Sequence, residues 1–509
     1  MADASPTKWH LAHTTWFFET FILKRFVRDY HEFHPNYNFL FNSYYEQIGK
    51  RHVRSERGMI TRPSSNEIYE YRDHVDKAIK DYFEMKPTSD ALQLIELGIN
   101  HEQQHQELLI TDIKHALSRN PLYPAYQESR LNNAISVRDT KWADHPGGLV
   151  DIGYSGKDFI FDSEGPRHKI WLEPFYLAKQ PVSNCEYISF INDGGYQKAE
   201  FWLSDGWTLC RKEEWEAPMY WHKNDEGNWC SFTMSGIRPI NLNAPVCHVS
   251  YYEADAFARW AGVRLPSEAE WEVFASSFNV DGNFANSNIF DTLPSTKEGL
   301  AQMYGDVWEW TKSSFSAYPG YQVAEGAVGE YNGKFMSGQM VLRGGSCATP
   351  SDHIRASYRN FFPPRARWQF SGIRLAKDKS AVISSFYTNN NSIKDTFLDD
   401  IISGFSIIPK SKSSKYLYDT KGAQLFEKIC ELDAYYPTKT EVGILNNYAT
   451  EIAKYLGSGT TLIEYGSGAL DKIRILLDAL DGPVSLCAID ISEQQLQESA
   501  SIIRKAYPN

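Results

Sequence analysis

Cysteine is scarce in this chain and unpaired in sequence. Seven cysteines (Cys185, Cys210, Cys230, Cys247, Cys347, Cys430, Cys487) are spread over 509 residues with no CxxC pair. That spacing speaks against a disulfide-stapled scaffold or a paired-cysteine zinc site and predicts reduced thiols in a cytoplasmic protein. A basic surplus is also missing. The formal net charge is −12, the wrong sign for a nucleic-acid or anionic-membrane surface. No run of 18 apolar residues offers a membrane span, and MADASPTKWHLAH has no apolar core of a secretory signal. Neither internal repeats nor low-complexity stretches are found. What is abundant is aromatic: 14% Phe, Trp and Tyr, against an ordinary 42% hydrophobic and 23% charged content.

The length suits about three domains, and the chain changes character twice. Residues 1–130 read as helical: TTWFFETFILKRF has apolar residues at helical spacing, and ALQLIELGINHEQQHQELLITDIKHAL is a long amphipathic helix without proline. The stretch NYNFLFNSYYEQIGKRHVRSERGMITRPS between them reads as loop. Residues 135–378 are short apolar runs broken by Gly, Pro and Asn, with Trp-centred patches such as FWLSDGW, VWEWT and ARWQF. That pattern predicts an irregular α+β domain whose core is aromatic. Within residues 395–509, TTLIEYGSGALDKIRILLDAL followed by VSLCAIDIS reads as strand, glycine turn, helix and strand, the opening of a doubly wound α/β domain.

The chemistry-bearing pattern is His101-Glu102-Gln103-Gln104-His105. Two imidazoles at i and i+4 share one helix face and are spaced to hold one cation. WHLAH adds His10 and His13 at i and i+3 near the start of another helix. Three readings stay open on residues alone: a solvated histidine pair, a metal site completed by the second cluster, or the HExxH zinc-protease motif with Glu102 as general base. The protease reading lacks support downstream. QELLIT stands where a third histidine would continue one motif, and Glu128 lies in proline-broken sequence rather than on a second helix.

WHLAHTTWFFETF together with HEQQHQELL resembles the DinB-like four-helix domain of the sulfoxide synthases of ergothioneine biosynthesis. The resemblance implies that His13, His101 and His105 bind one Fe(II), with His10 in a supporting or structural role. Such a site leaves positions open for a sulfur ligand and O2. It also implies that a helix preceding WHLAH lies outside this sequence. HVSYYEADAFARWAGVRLPSEAEWE, GDVWEWT and VLRGGSC with RASYRNFFPPRARWQFSGIRLA resemble the formylglycine-generating-enzyme, or sulfatase-modifying, fold of C-type-lectin-like architecture. That fold hosts several functions, and formylglycine chemistry would need a late cysteine pair where only Cys347 stands.

Beside a DinB-like domain, the lectin-like fold implies a pocket for hercynine (Nα-trimethylhistidine). Asn360, Phe361 and Phe362 then fall in the substrate-contacting stretch, and Gln104 at the substrate imidazole. Aromatic faces suit a trimethylammonium group, which has no proton to donate. Relatives that use γ-glutamylcysteine carry RNxDYP, whereas this chain reads RNFFPP, with Phe362 at the aspartate position. The departure favours the resemblance to cysteine-using enzymes, whose catalytic tyrosines match Tyr44 and Tyr45. A tyrosine hydroxyl beside the metal can deliver a proton or hydrogen atom. Arg51, Arg54 and Arg57 follow in the same loop as candidates to clamp a carboxylate.

FSIIPKSKSSKYLYDTKGAQLFEKICELDAYYPTKTEVGIL resembles the entry region of the histidine Nα-methyltransferases. EYGSGALDK then implies an S-adenosylmethionine turn in a partial Rossmann-like domain, with Gly466, Gly468, Lys472 and Asp490 as cofactor contacts. Only about half of such a domain is spanned, so no methyltransferase competence is expected. The implied activity is formation of a C–S bond between cysteine or γ-glutamylcysteine and imidazole C2 of hercynine, using O2. Alternatives are an ovothiol-type 5-histidylcysteine sulfoxide synthase and a non-catalytic lectin-like module. No nucleic-acid or membrane partner is expected, and oligomeric state is not legible.

Overall fold

Three long helices organise the N-terminal part: α1 (Thr7–Phe18), α2 (Ser65–Glu84) and α3 (Ser89–Ser118). The computed structural model describes residues 4–129, 141–379 and 400–507, except 324, 326 and short stretches of the third range, among them 467–469. Two compact units result, Met1–Val382 and Ile383–Asn509.

α1 is buried on almost every side, from Trp9 and His10 through Ala12 to Phe17, as befits a core helix rather than an amphipathic surface one. It continues through a π-helical turn, Glu19–Leu23, a distortion that is common near functional sites. The buried Glu19 in that turn accepts from Tyr71 Oη at 2.6 Å, Tyr30 Oη at 2.9 Å and the Phe33 amide at 3.0 Å. α2 is a helix that the sequence reading did not single out. Its start is a capping box: the Glu67 amide donates to Ser64 Oγ, and the Ser64 amide donates to Glu67 Oε2. Only Ile68, Tyr71, Val75 and Tyr82 are buried along it, so packing of a narrow stripe holds it helical. α3 is capped by Thr88. Three residues before His101, Gly98 lets α3 approach α1 closely, since a Cβ there would lie 2.8 Å from the Phe18 ring.

Residues 141–379 are a mosaic of short strands and helices. One three-stranded sheet pairs Phe175–Ala178 with Trp142–His145 on one side and Ala376–Asp378 on the other, so the ends of the segment meet. A four-stranded sheet contains β1 (Trp308–Ser314), β2 (Met340–Arg343), β3 (Asn360–Phe362) and β4 (Ser371–Gly372), in the order β3-β2-β1-β4. β1, β2 and β3 are antiparallel neighbours, while β1 and β4 run parallel. Sheets this small cannot make a core alone. Trp271, Trp308 and Trp310 fill it, together with three fully enclosed arginines. Arg343 and Arg359 pair with Glu268, and Arg374 with Glu309.

α3 is docked onto this segment within the same unit. Buried Glu107 accepts from Trp308 Nε1 at 2.8 Å and Ser346 Oγ at 2.6 Å. Buried Lys114 lies 2.8 Å from His248 Nε2. α3, which carries His101 and His105, is therefore held by residues 141–379 as well as by its own neighbours.

In the second unit, α4 (Tyr436–Leu456) starts with proline in its first turn. Then β5 (Thr461–Tyr465), α5 (Asp471–Ala479) and β6 (Ser485–Ile489) follow, and β5 and β6 pair in parallel, Leu462 opposite Leu486. Among the described residues no helix is long and apolar enough to cross a membrane.

Candidate metal centre and active site

His101 and His105 project from one face of α3 toward His13 on α1, and the three rings form a near-equilateral triangle. Ring centroids are 4.9 Å apart for His13 and His101, 4.7 Å for His13 and His105, and 4.6 Å for His101 and His105. One nitrogen from each lies within 4.8 Å of the others. His13 is sandwiched between Trp9 at 4.8 Å and Trp16 at 5.6 Å, one turn away on either side of it in α1. Its Nδ1 lies 2.5 Å from the Phe41 carbonyl. A carbonyl only accepts, so Nδ1 carries the hydrogen and Nε2 keeps its lone pair.

Burial strips these imidazoles of charge. His101 is pushed down to about 3 by burial. His13 and His105 lie well below the ordinary histidine value, first through burial and then because the neighbouring histidines and Arg57 disfavour a further positive charge. Neutral imidazole is the ligating form. His13 Nε2 and both His101 nitrogens are buried without a hydrogen-bond partner, an unfavourable state for groups that nearly always find one. Three neutral nitrogen donors with open lone pairs fit a divalent transition-metal ion.

Glu102 faces away from this centre. Its two oxygens accept from Arg72 Nη2, both at 2.9 Å, which leaves it unavailable as the base of a zinc protease.

The Asn42 side chain positions the adjacent tyrosine loop. It accepts from the Tyr45 amide and donates to the Tyr45 carbonyl, each at 2.9 Å. Tyr44 and Tyr45 stack at 4.5 Å with hydroxyls 3.4 Å apart, and Tyr45 is wedged against Trp16 and Phe21. Burial raises both phenols above the usual tyrosine value, so both keep their protons. From residues 141–379, Glu330 accepts from the amides of Glu46 and Gln47 at 2.9 Å, and Lys334 donates to the Tyr44 carbonyl.

Gln104 is held between two tyrosines that the sequence reading missed. Its Nε2 donates to Tyr358 Oη at 2.8 Å, and Tyr331 Oη donates to its Oε1. Tyr358 Oη lies 2.9 Å from His353 Nε2, and His353 Nδ1 lies 3.1 Å from Gln103 Oε1. Tyr331 stacks on Phe161 and meets His101 edge-on at 5.6 Å. Tyr44 contacts Tyr331 at 6.2 Å and Phe335 at 5.2 Å. Tyr331 and Tyr358 lie more than two hundred residues from Gln104, so no spacing pattern announces them.

The remaining candidates divide. Phe361 stacks on Phe315 at 4.0 Å and meets Phe335, which joins it to the Tyr44 side of the site. Phe362, the next residue of β3, points the other way and meets Trp368. Asn360 accepts from the Phe361 amide. The three arginines do not converge. Arg57 is buried with its guanidinium 3.5 Å from the Trp9 ring, Arg51 is exposed and bonded to Glu46, and Arg54 is exposed. In the second unit, Gly466 follows β5 with φ of +65°, Lys472 lies 3.1 Å from Glu441, and Asp490 follows β6. Gly468 lies outside the described residues.

Residues 145–379 match the sulfatase-modifying factor enzyme 1-like domain, and residues 397–509 match the SAM-dependent histidine-specific methyltransferase family. The hercynine oxygenase of Mycolicibacterium smegmatis is 31% identical over 333 residues, covering 58% of this chain and 74% of that protein. The hercynine oxygenase of Mycolicibacterium thermoresistibile is 28% identical over 360 residues, covering 64% and 78%. The formylglycine-generating enzyme of Mus musculus is 25% identical over 284 residues, covering 47% and 75%. The chain is an enzyme of the hercynine oxygenase family, joined in one polypeptide to a segment of the histidine-specific methyltransferase family.

Proposed function

We propose that this chain is an iron(II)- and O2-dependent sulfoxide synthase that joins the sulfur of cysteine, or of γ-glutamylcysteine, to imidazole C2 of hercynine. The observation that carries the reading is the triad. His13, His101 and His105 present neutral nitrogens to one point, with three of their buried nitrogens lacking any protein partner. Iron(II) held there would supply O2 activation and a binding position for the thiolate sulfur.

The chain's own residues do the rest. Gln104, fixed by Tyr331 and Tyr358, offers one remaining amide hydrogen and one lone pair to orient the substrate imidazole. Tyr331, Phe161, Tyr44, Phe335 and Phe361 form a continuous aromatic wall. Its ring faces suit the trimethylammonium group. Tyr44 and Tyr45, protonated at neutral pH, hold a transferable hydrogen near the reacting sulfur. Arg57 and the more exposed Arg51 and Arg54 are left as carboxylate partners of the sulfur donor, and Asn360 and Phe362 as flanking contacts.

In this reading residues 1–130 form a DinB-like domain, 135–378 the lectin-like domain, and 395–509 a Rossmann-like domain. There Gly466, Gly468, Lys472 and Asp490 border an S-adenosylmethionine site. Support comes from the positive φ of Gly466 just after β5 and the parallel β5–β6 pairing. The test of the main reaction uses the iron-reconstituted chain, hercynine and each thiol in air. Oxygen uptake with a mass-identified coupled sulfoxide is expected. No coupling with either thiol would refute the proposal.

A further inference from the structure

Behind the triad stands a histidine for which this chemistry has no use. His10 is buried on α1, three residues before His13. Its Nδ1 lies 2.9 Å from His105 Nδ1, and its Nε2 lies 3.0 Å from Asp112 Oδ2. Asp112 follows His105 by seven residues, two turns along the same face of α3. The Ser5 amide donates to the same Asp112 oxygen at 2.8 Å.

Donor and acceptor counting orders the hydrogens along this row. A carboxylate only accepts, so His10 Nε2 carries a hydrogen toward Asp112. A neutral His10 then has a bare Nδ1, which must accept, and His105 Nδ1 is the atom in reach. His105 therefore carries its hydrogen on Nδ1 and leaves Nε2 bare. In the opposite order His10 would donate to His105 Nδ1, the hydrogen of His105 would sit on Nε2, and that nitrogen could not bind a cation. Ligating histidines elsewhere are oriented in this way through their second nitrogen. His13 uses the Phe41 carbonyl for it.

We propose that Asp112 and His10 are positioning residues that lock His105 in its metal-binding tautomer. Neither belongs to the triad itself. The inference rests on the metal-centre reading above.

The test uses the full chain, stripped with a chelator and titrated anaerobically with Fe(II), and with Co(II), against a chromophoric competitor. His10→Phe and Asp112→Ala are expected to weaken binding of both ions about 10- to 100-fold. Asp112→Asn, whose Oδ1 still accepts from His10 Nε2, should keep most of the affinity. A readout that a merely structural role would not move is the imidazole 15N spectrum of the metal-free protein. There His105 should leave the Nδ1–H tautomer in His10→Phe, with far-UV dichroism unchanged. Affinities of His10→Phe and Asp112→Ala within twofold of the parent would overturn this inference alone, as would Asp112→Asn losing as much as Asp112→Ala. A parent chain that binds neither ion would overturn the metal-centre reading and the inference together.

Discussion

Replacing Tyr331 by Phe removes one hydroxyl and leaves its ring in place. The stacking on Phe161, at 5.5 Å and 10° between planes, survives, as does the edge contact to His101 at 5.6 Å. What is lost is the hydrogen bond to Gln104 Oε1. Without it the half-buried amide oxygen loses its tyrosine donor, and the 2.8 Å bond to Tyr358 is left to orient the group. Losing a hydrogen bond and leaving its acceptor unpaired costs about 1–3 kcal/mol when the site is closed to water, as it is with substrate bound. If that cost falls on the imidazole-orienting step, kcat/KM for coupling drops roughly 5- to 150-fold, at a factor of ten per about 1.4 kcal/mol. Tyr358→Phe should cost at least as much, because it also strips His353 Nε2 of its donor. The double variant should lose less than the product of the two, since both act through one amide. The assay is steady-state formation of the coupled sulfoxide, with iron content measured in parallel and unchanged. Single variants within twofold of the parent, or a strictly multiplicative double variant, would refute this account of Gln104.

If the triad holds iron as proposed, His101→Ala removes a donor whose ring nitrogens have no hydrogen-bond partner, so the purified variant should contain less than a tenth of the parent's iron by elemental analysis, with the helical signal retained. Glu107→Ala strands Trp308 Nε1 in the interior and leaves Ser346 Oγ with only Thr349 Oγ1 and the Ala348 amide as partners. At about 1–3 kcal/mol for each unsatisfied group, it should lower the unfolding transition of the first unit by several degrees in calorimetry, while Glu107→Gln, whose Oε1 can accept from both donors, should lose much less. Metal-free protein should lose stability on acidification. His353 and His101 are held down to about 3 and His115 to about 4, chiefly by burial, so the unfolded chain binds more protons than the folded one below about pH 6.5. Stability is therefore full above that pH and falls as the pH drops toward 3. Urea midpoints that stay constant between pH 7 and 5 would contradict this.

Local pattern in the chain was enough for the His101–His105 pair and for the βαβ start of the second unit. His101 and His105 share a face because a helix turns every 3.6 residues, and Gly466 takes a positive φ that glycine accommodates readily. A capping box at Ser64 was legible too, yet α2 went unnamed, because few apolar residues mark its buried stripe. Tertiary structure alone decided the rest. It set His13 opposite the pair by packing α1 against Gly98. It turned Glu102 onto Arg72, and so away from the hydrolytic role that HExxH suggested. It separated Arg57, buried on Trp9, from Arg51 and Arg54 in the same loop, and brought Tyr331 and Tyr358 onto Gln104. The physical reason is range. Periodicity and capping are set by neighbours within a turn or two, whereas hydrogen-bond partners and burial at this site come from segments two hundred residues apart, joined only when α3 docks through Glu107 and Lys114.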